Sequence, residues 1–286
     1  MESASQKIIM KTLDHNMNIG IIAGGGDAPS VLINRLKKEK INFFILAIND
    51  NTSKSILKNN IHEIVNLGEL KKALKFFKEN QVTHISFIGS IKRPSISSLN
   101  LDSEAAFLVA KLGFNKFVGG DNKLLSSLLT FFEKKGYKIL GAEEIAPELI
   151  TPKGVLGKIK PSKIDKMDID LGIEILQTTS KFDIGQSVII EKGYVLGLEA
   201  AEGTNNLIKR CKNLKKETGT SGVLIKMKKI NQDIRIDLPS IGVHTIEEIK
   251  KSGFSGIAIK SNESFIIDVE KVIEKANQYN LFIVGI

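Results

Sequence analysis

Residues Asn18 to Ala23 (NIGIIA) form a short apolar run that ends directly on Gly24-Gly25-Gly26, and a helical pattern from Pro29 to Lys38 follows. An apolar run turned by glycine into a helix is the opening unit of a parallel sheet covered on both faces. The unit recurs. Phe43 to Ile48 (FFILAI) reads as a second strand, Leu70 to Glu79 as an amphipathic helix, and Val82 to Ile88 as a third strand ending on Gly89. Phe117 to Asp121 then leads into a helix from Lys123 to Lys135, and Tyr137 to Leu140 is another short strand. The alternation predicts a Rossmann-like N-terminal α/β domain over 18–147. Residues 1–17 are polar and mixed, which predicts a flexible extension.

Pro147 to Pro161 (PELITPKGVLGKIKP) holds three prolines and two glycines, which buried strands and long helices tolerate poorly. A linker is expected over 148–162. A second, mixed α/β domain is expected over 163–286, opening with a helix from Lys163 to Thr178. Its strands are placed at Ser187 to Ile190, Tyr194 to Glu199, Gly222 to Lys226, Ile257 to Ile259, Phe265 to Ile267 and Leu281 to Val284. Its helices are placed near Asn205 to Asn213, Ile246 to Ser252 and Val269 to Tyr279.

Composition excludes several classes. The 286 residues are 42% apolar and 26% charged, as in an ordinary globular protein, and no apolar stretch reaches membrane-spanning length. One cysteine, Cys211, leaves no internal disulfide and suits a reducing compartment. The four histidines are scattered without metal-ligand spacing, so a zinc site is not expected. A net charge of +9, mostly lysine, is open to two readings, a coding bias toward Lys, Ile and Asn or attraction to polyanions. Nucleic acid is not expected, because the lysines are spread and aromatics make up only 6%.

The chemistry-bearing residues gather at predicted strand ends, where open α/β sheets bind ligands. Gly24, Gly25 and Gly26 suit either a phosphate cradle at a helix start or a tight turn. Gly89-Ser90-Ile91-Lys92-Arg93-Pro94 offers Arg93 as a diphosphate clamp, and Gly119-Gly120-Asp121-Asn122 places Asp121 on the same edge. In the second domain, Phe182-Asp183-Ile184-Gly185-Gln186-Ser187 and Glu199-Ala200-Ala201-Glu202-Gly203-Thr204-Asn205 bracket a hairpin. Its glutamates are open to two roles, ligating a divalent cation or satisfying helix amides. In Asn231 to Gly242 (NQDIRIDLPSIG), Ile234 and Ile236 alternate with Arg235 and Asp237, which predicts a short strand carrying Asp233, Arg235 and Asp237 on one face. Three charges on one face of a strand need pairing, and Lys226, Lys228 and Lys229 lie just upstream.

Taken in order, IIAGGG, GSIKRP, GGDNKLL, GAEE, DIGQSV, EAAEGTN, IRIDLPSIG and GIAI make the chain resemble the LpxI type of UDP-2,3-diacylglucosamine pyrophosphatase, from about Ile19 to Gly285. The resemblance implies a cytoplasmic enzyme of lipid A synthesis, peripheral to the inner membrane. It would hydrolyse UDP-2,3-diacylglucosamine to UMP and 2,3-diacylglucosamine 1-phosphate (lipid X), with water attacking the β-phosphorus. The cofactor implied is Mg²⁺ or another divalent cation, and a homodimer is left open. Asp237 matches the family's essential aspartate, and Gly24 to Gly26, Arg93, Asp121, Asp183, Gln186, Glu199, Glu202 and Thr204 match other family positions. On this basis Asp237, Asp233 and Arg235 are the expected catalytic set. Gly24, Gly25, Gly26, Arg93, Asp121, Gln186, Thr204 and Lys226 are expected to bind substrate, and Asp237, Asp183 and Glu202 to hold metal. The chain departs from the family at Asp27-Ala28-Pro29, Asn122, Glu143, Asn205 and Ser240. These departures keep a non-catalytic sugar-nucleotide-binding protein as the alternative. A nicotinamide-dependent oxidoreductase would rest on the glycine turn alone.

Overall fold

The computed structural model describes residues 13–91, 99–112, 121–230, 232–235 and 238–286, with the side chains of 112 and 121–123 outside that description. They fall into two compact units. One runs to Glu148 and also takes in Arg235; the other covers Leu149–Ile234 and continues from Leu238 to Ile286.

The first unit is a parallel sheet of β1 (Asn18–Ala23), β2 (Asn42–Ile48), β3 (His62–Val65), β4 (His84–Ile88) and β5 (Lys138–Ile139). The order β3-β2-β1-β4-β5 is that of a doubly wound sheet. Around it lie α1 (Ala28–Lys38), α2 (Leu70–Glu79), α3 (Ser103–Leu112), α4 (Asp121–Lys134) and the single turn α5 (Ala142–Ile145). Ile19, Ile21 and Ile45 are fully buried, as continuous apolar runs in a two-sided sheet should be. One face packs on an aromatic cluster, with Phe77 and Phe132 ring centroids 6.1 Å apart and Phe131 and Phe132 at 5.3 Å. Strand β3 and helix α3 escaped the sequence reading. Strand β3 sits at the sheet edge with an exposed His62 and lacks an apolar run.

The second unit is built on β6 (Gly154–Val155), β7 (Ser187–Glu191), β8 (Tyr194–Leu198), β9 (Val223–Lys226), β11 (Gly256–Ile259) and β13 (Phe282–Gly285), in the order β6-β13-β11-β9-β7-β8. Strands β9, β11 and β13 are parallel; β7 runs antiparallel to β9, and β6 antiparallel to β13. A separate two-stranded piece pairs β10 (Ser240–Ile241) with β12 (Phe265–Ile266). The pleat divides the apolar side chains between the faces. Ile189, Leu224, Ile257 and Ile283 pack with α7 (Thr204–Lys212), α8 (Val243–Lys251) and α9 (Val269–Gln278). Val188, Val223, Ala258 and Phe282 pack with α6 (Lys163–Thr179). Each fully buried Ile or Leu contributes about 1.5–3 kcal/mol, so this two-sided core dominates the unit's stability.

Of the stretch 148–162, expected as a linker, everything from Leu149 on is built into this second unit. Ile150 bridges to Phe265, the Thr151 N–H donates to Ser264 O at 2.9 Å, and β6 pairs with β13. Ser162 then caps α6, accepting from the Asp165 N–H at 3.1 Å while Asp165 Oδ2 accepts from the Ser162 N–H at 2.8 Å. The strand expected over Ile234 to Asp237 is corrected for its described part: Ile234 and Arg235 lie in a turn, with Ile234 exposed.

Candidate functional site

In the first unit, the carboxyl ends of β1 and β4 are tied together by the glycine loop. The Gly24 N–H donates to Ile88 O at 2.8 Å and the Gly25 N–H to Ser90 O at 2.7 Å, while the Ser90 N–H returns to Gly25 O at 3.0 Å. A Cβ on Gly24 would lie 2.5 Å from Ser90 O and 2.9 Å from Gly89 backbone atoms, so only glycine permits this approach. Both amides are therefore engaged by backbone carbonyls at the strand ends. Of the three glycines expected to bind substrate, Gly26 alone opens into free space, at φ 85° ahead of α1. Arg93 lies outside the described residues, and Asp121 is described only as the first residue of α4.

In the second unit, three elements meet at the carboxyl edge of the parallel strands. Lys226 ends β9, Ser187 opens β7 directly opposite it, and the Glu199 N–H, just past β8, donates to Ser187 O at 2.8 Å. Thr204 stands at the first position of α7. Lys226 Nζ donates to Thr204 Oγ1 at 2.5 Å, and Thr204 Oγ1 donates to Glu199 Oε1 at 3.2 Å. Ser187 Oγ lies 3.4 Å from the same hydroxyl. Lys226 is 7% exposed and Glu199 9%. Glu199 Oε2 is buried with no hydrogen-bond partner among the described residues. The result is an ammonium held at a strand end, in surroundings where a charge acts far more strongly than in water.

Beside this cluster, Gln186 Nε2 donates to Gln232 Oε1 at 2.9 Å, and the Lys229 N–H donates to the same oxygen at 3.1 Å. Gln186, expected to touch substrate, thus braces the loop that leads to residues 233–235. Asp233 is half-buried there. Arg235 Nη1 donates to Glu133 Oε1 at 2.9 Å, an ion pair of its own. Asp237 lies outside the described residues.

The two described carboxylates expected to hold metal sit on separate cations. Asp183, at φ 58°, accepts from Lys229 Nζ at 2.6 Å. Glu202 accepts from Arg210 Nη2 at 2.7 Å, and that hydrogen bond holds its carboxyl below the usual carboxylate range. No group of three or more His, Cys, Asp or Glu converges on a metal position among the described residues. Asp183 and Glu202 as placed do not fit a metal cage. The ligand role is expected of Glu202, which pairs with Arg210, whereas Glu199 lies against Thr204 at the end of β9. Cys211 is fully buried, and burial raises its thiol pKa, so it is inert.

The descriptions "LpxI N-terminal domain" and "LpxI C-terminal domain" match residues 18–149 and 152–284. A solved structure, N5-carboxyaminoimidazole synthase from Aspergillus clavatus, is 14% identical with a TM-score of 0.25, covering 73% of this chain and 46% of that one. The chain spans less than half of that protein's length, and at that score the likeness carries nothing about the fold. The Caulobacter vibrioides protein named UDP-2,3-diacylglucosamine pyrophosphatase LpxI is 32% identical over 273 residues, covering 94% of this chain and 97% of the relative. Matched through both domains and along nearly its whole length, the chain belongs to the LpxI family.

Proposed function

We propose that the protein hydrolyses UDP-2,3-diacylglucosamine to UMP and 2,3-diacylglucosamine 1-phosphate, a step of lipid A synthesis. The observation that carries this reading is the 32% identity, over 94% of the chain, to the Caulobacter vibrioides protein named for that activity. The chemistry at the second unit's edge suits it. Water attacking a phosphoanhydride needs positive charge on the phosphate oxygens and an oriented nucleophile, while UMP departs as an anion without needing a proton. Lys226 takes the phosphate-holding role, since Arg235 already has Glu133 as its partner. Asp237 is assigned to the attacking water at the β-phosphorus, with Asp233 in support.

A divalent cation, magnesium first, belongs to the proposal as a companion of the diphosphate. Asp183 and Glu202 do not fit as its ligands, and chelation with EDTA and titration back with Mg²⁺ test the requirement. The enzyme is placed in the cytoplasm, against the inner membrane. The charge of +9 supports attraction to anionic headgroups, and exposed Phe182 and Ile230 supply apolar contact. No helix among the described residues is long and apolar enough to cross a membrane.

Purified protein given the lipid substrate and Mg²⁺ should release UMP and lipid X, and Asp237→Ala should abolish that release. Substrate binding without turnover would instead identify a non-catalytic sugar-nucleotide-binding protein of the same fold.

A further inference from the structure

We propose that Glu199 is a positioning residue that acts through Thr204 to fix the Lys226 ammonium where the diphosphate arrives; the proposal rests on the hydrolase reading above. A lysine head sits on a flexible four-carbon stem and is a poor fixed point unless something orients it. Lys226 is oriented by the hydroxyl of Thr204 at 2.5 Å. That hydroxyl has a single proton, and it goes to Glu199 Oε1 at 3.2 Å. With its proton committed to the carboxylate, the Thr204 oxygen turns a lone pair to the ammonium. The hydroxyl expected to touch substrate is therefore a relay between two charges.

Glu199 itself is fixed by the backbone. Its N–H is held by Ser187 O at 2.8 Å, and a Cβ on Gly185 would lie 2.6 Å from the Glu199 carbonyl carbon and from its Cβ, so the two segments touch. Glu199 directly follows the last residue of a strand, Lys226 ends a strand and Thr204 starts a helix, the rigid placement that a functional group requires. A carboxylate kept only for packing would have both oxygens satisfied. Glu199 Oε2 is buried without a hydrogen-bond partner among the described residues, a departure of the kind found where function rather than stability sets the residue.

The test is a double-mutant cycle with steady-state kinetics on UDP-2,3-diacylglucosamine, each variant first shown folded by its melting curve. Glu199→Leu removes the acceptor and Thr204→Val, equal in shape, removes the relay. Each should lower kcat by about 10–100-fold while KM stays within about threefold, because the ammonium contact strengthens in the transition state. Thr204→Ser should recover most of the turnover lost in Thr204→Val. The double variant Glu199→Leu/Thr204→Val should be no slower than the slower single one, since both break one chain. Multiplying losses, or native turnover in Glu199→Leu, would overturn the relay. A native protein without turnover would defeat the hydrolase reading alone. The relay would then be judged by nitrogen-15 lysine NMR: a slowly exchanging Lys226 ammonium signal that disappears in Thr204→Val supports it, and a signal unchanged in Thr204→Val overturns it.

Discussion

Lys229 donates to Asp183 across 2.6 Å, and the same ammonium reaches the Asp183 carbonyl oxygen at 3.2 Å. Lys229 is mostly buried and Asp183 partly so, which makes the pair a fastening of the segment before β7 to the segment after β9.

Asp183→Asn should therefore act on stability and leave metal use alone. A charged hydrogen bond of this exposure is worth about 1–2 kcal/mol, so the melting temperature should fall by a few degrees. The Mg²⁺ concentration for half-maximal activity should stay within about twofold of the native value, whereas loss of a true ligand costs about tenfold or more. Mg²⁺ titration of the two proteins separates these roles.

Gly24→Ala should unfold or strongly destabilise the first unit. Its methyl would meet Ser90 and Gly89 backbone that cannot swing aside, an overpacking cost of about 1–3 kcal/mol. Gly26→Ala meets nothing within 4 Å and bears only the strain of φ 85°, about 1 kcal/mol. Denaturant midpoints should rank native, then Gly26→Ala, then Gly24→Ala. The reverse order would contradict the architectural role given to Gly24.

Much of this architecture is legible in the chain. Strands β1, β2, β4 and β9 are apolar runs buried on both faces, and α2 shows its apolar stripe plainly because Ala73, Phe76 and Phe77 recur at helical spacing. What escaped was decided at a distance. Ile234 to Asp237 alternates like a strand, yet its described residues turn, and the approach is pinned by a Gln186–Gln232 hydrogen bond spanning 46 positions of sequence. Between Glu199 and Glu202 the sequence offers no preference. The choice falls on Glu199 because its backbone pairs with Ser187, while Arg210, two helical turns on, claims Glu202.

Glu191 should give the second unit part of its acid sensitivity. Burial pushes this carboxyl up, but the Ser221 hydroxyl, the Lys216 amide and Lys215 outweigh it and hold it below the usual carboxylate range. A carboxyl depressed in the folded state contributes stability above its unfolded pKa and loses it as pH falls through the folded value. The melting temperature should thus drop as pH falls below about 4.5, and Glu191→Gln should be less stable at pH 7 with a flatter acid limb. A Glu191→Gln profile parallel to the native one would rule this out.

Asp168 holds the turn between β7 and β8, accepting from the Lys192 N–H at 2.8 Å and the Gly193 N–H at 2.7 Å. It is 2% exposed, so Asp168→Ala would strand two amides and should cost about 2–3 kcal/mol. Asp168→Asn keeps one acceptor oxygen and should lose less. Equal denaturation curves for the two variants would show that the turn does not depend on this cap.

Phosphoanhydride hydrolysis at the β-phosphorus is read out by running the reaction on UDP-2,3-diacylglucosamine in oxygen-18 water. UMP should carry no label, and lipid X should carry one oxygen-18 on its phosphate. Label on UMP would move the attack to the α-phosphorus, and no products at all from folded native protein with Mg²⁺ would contradict the assignment as an enzyme.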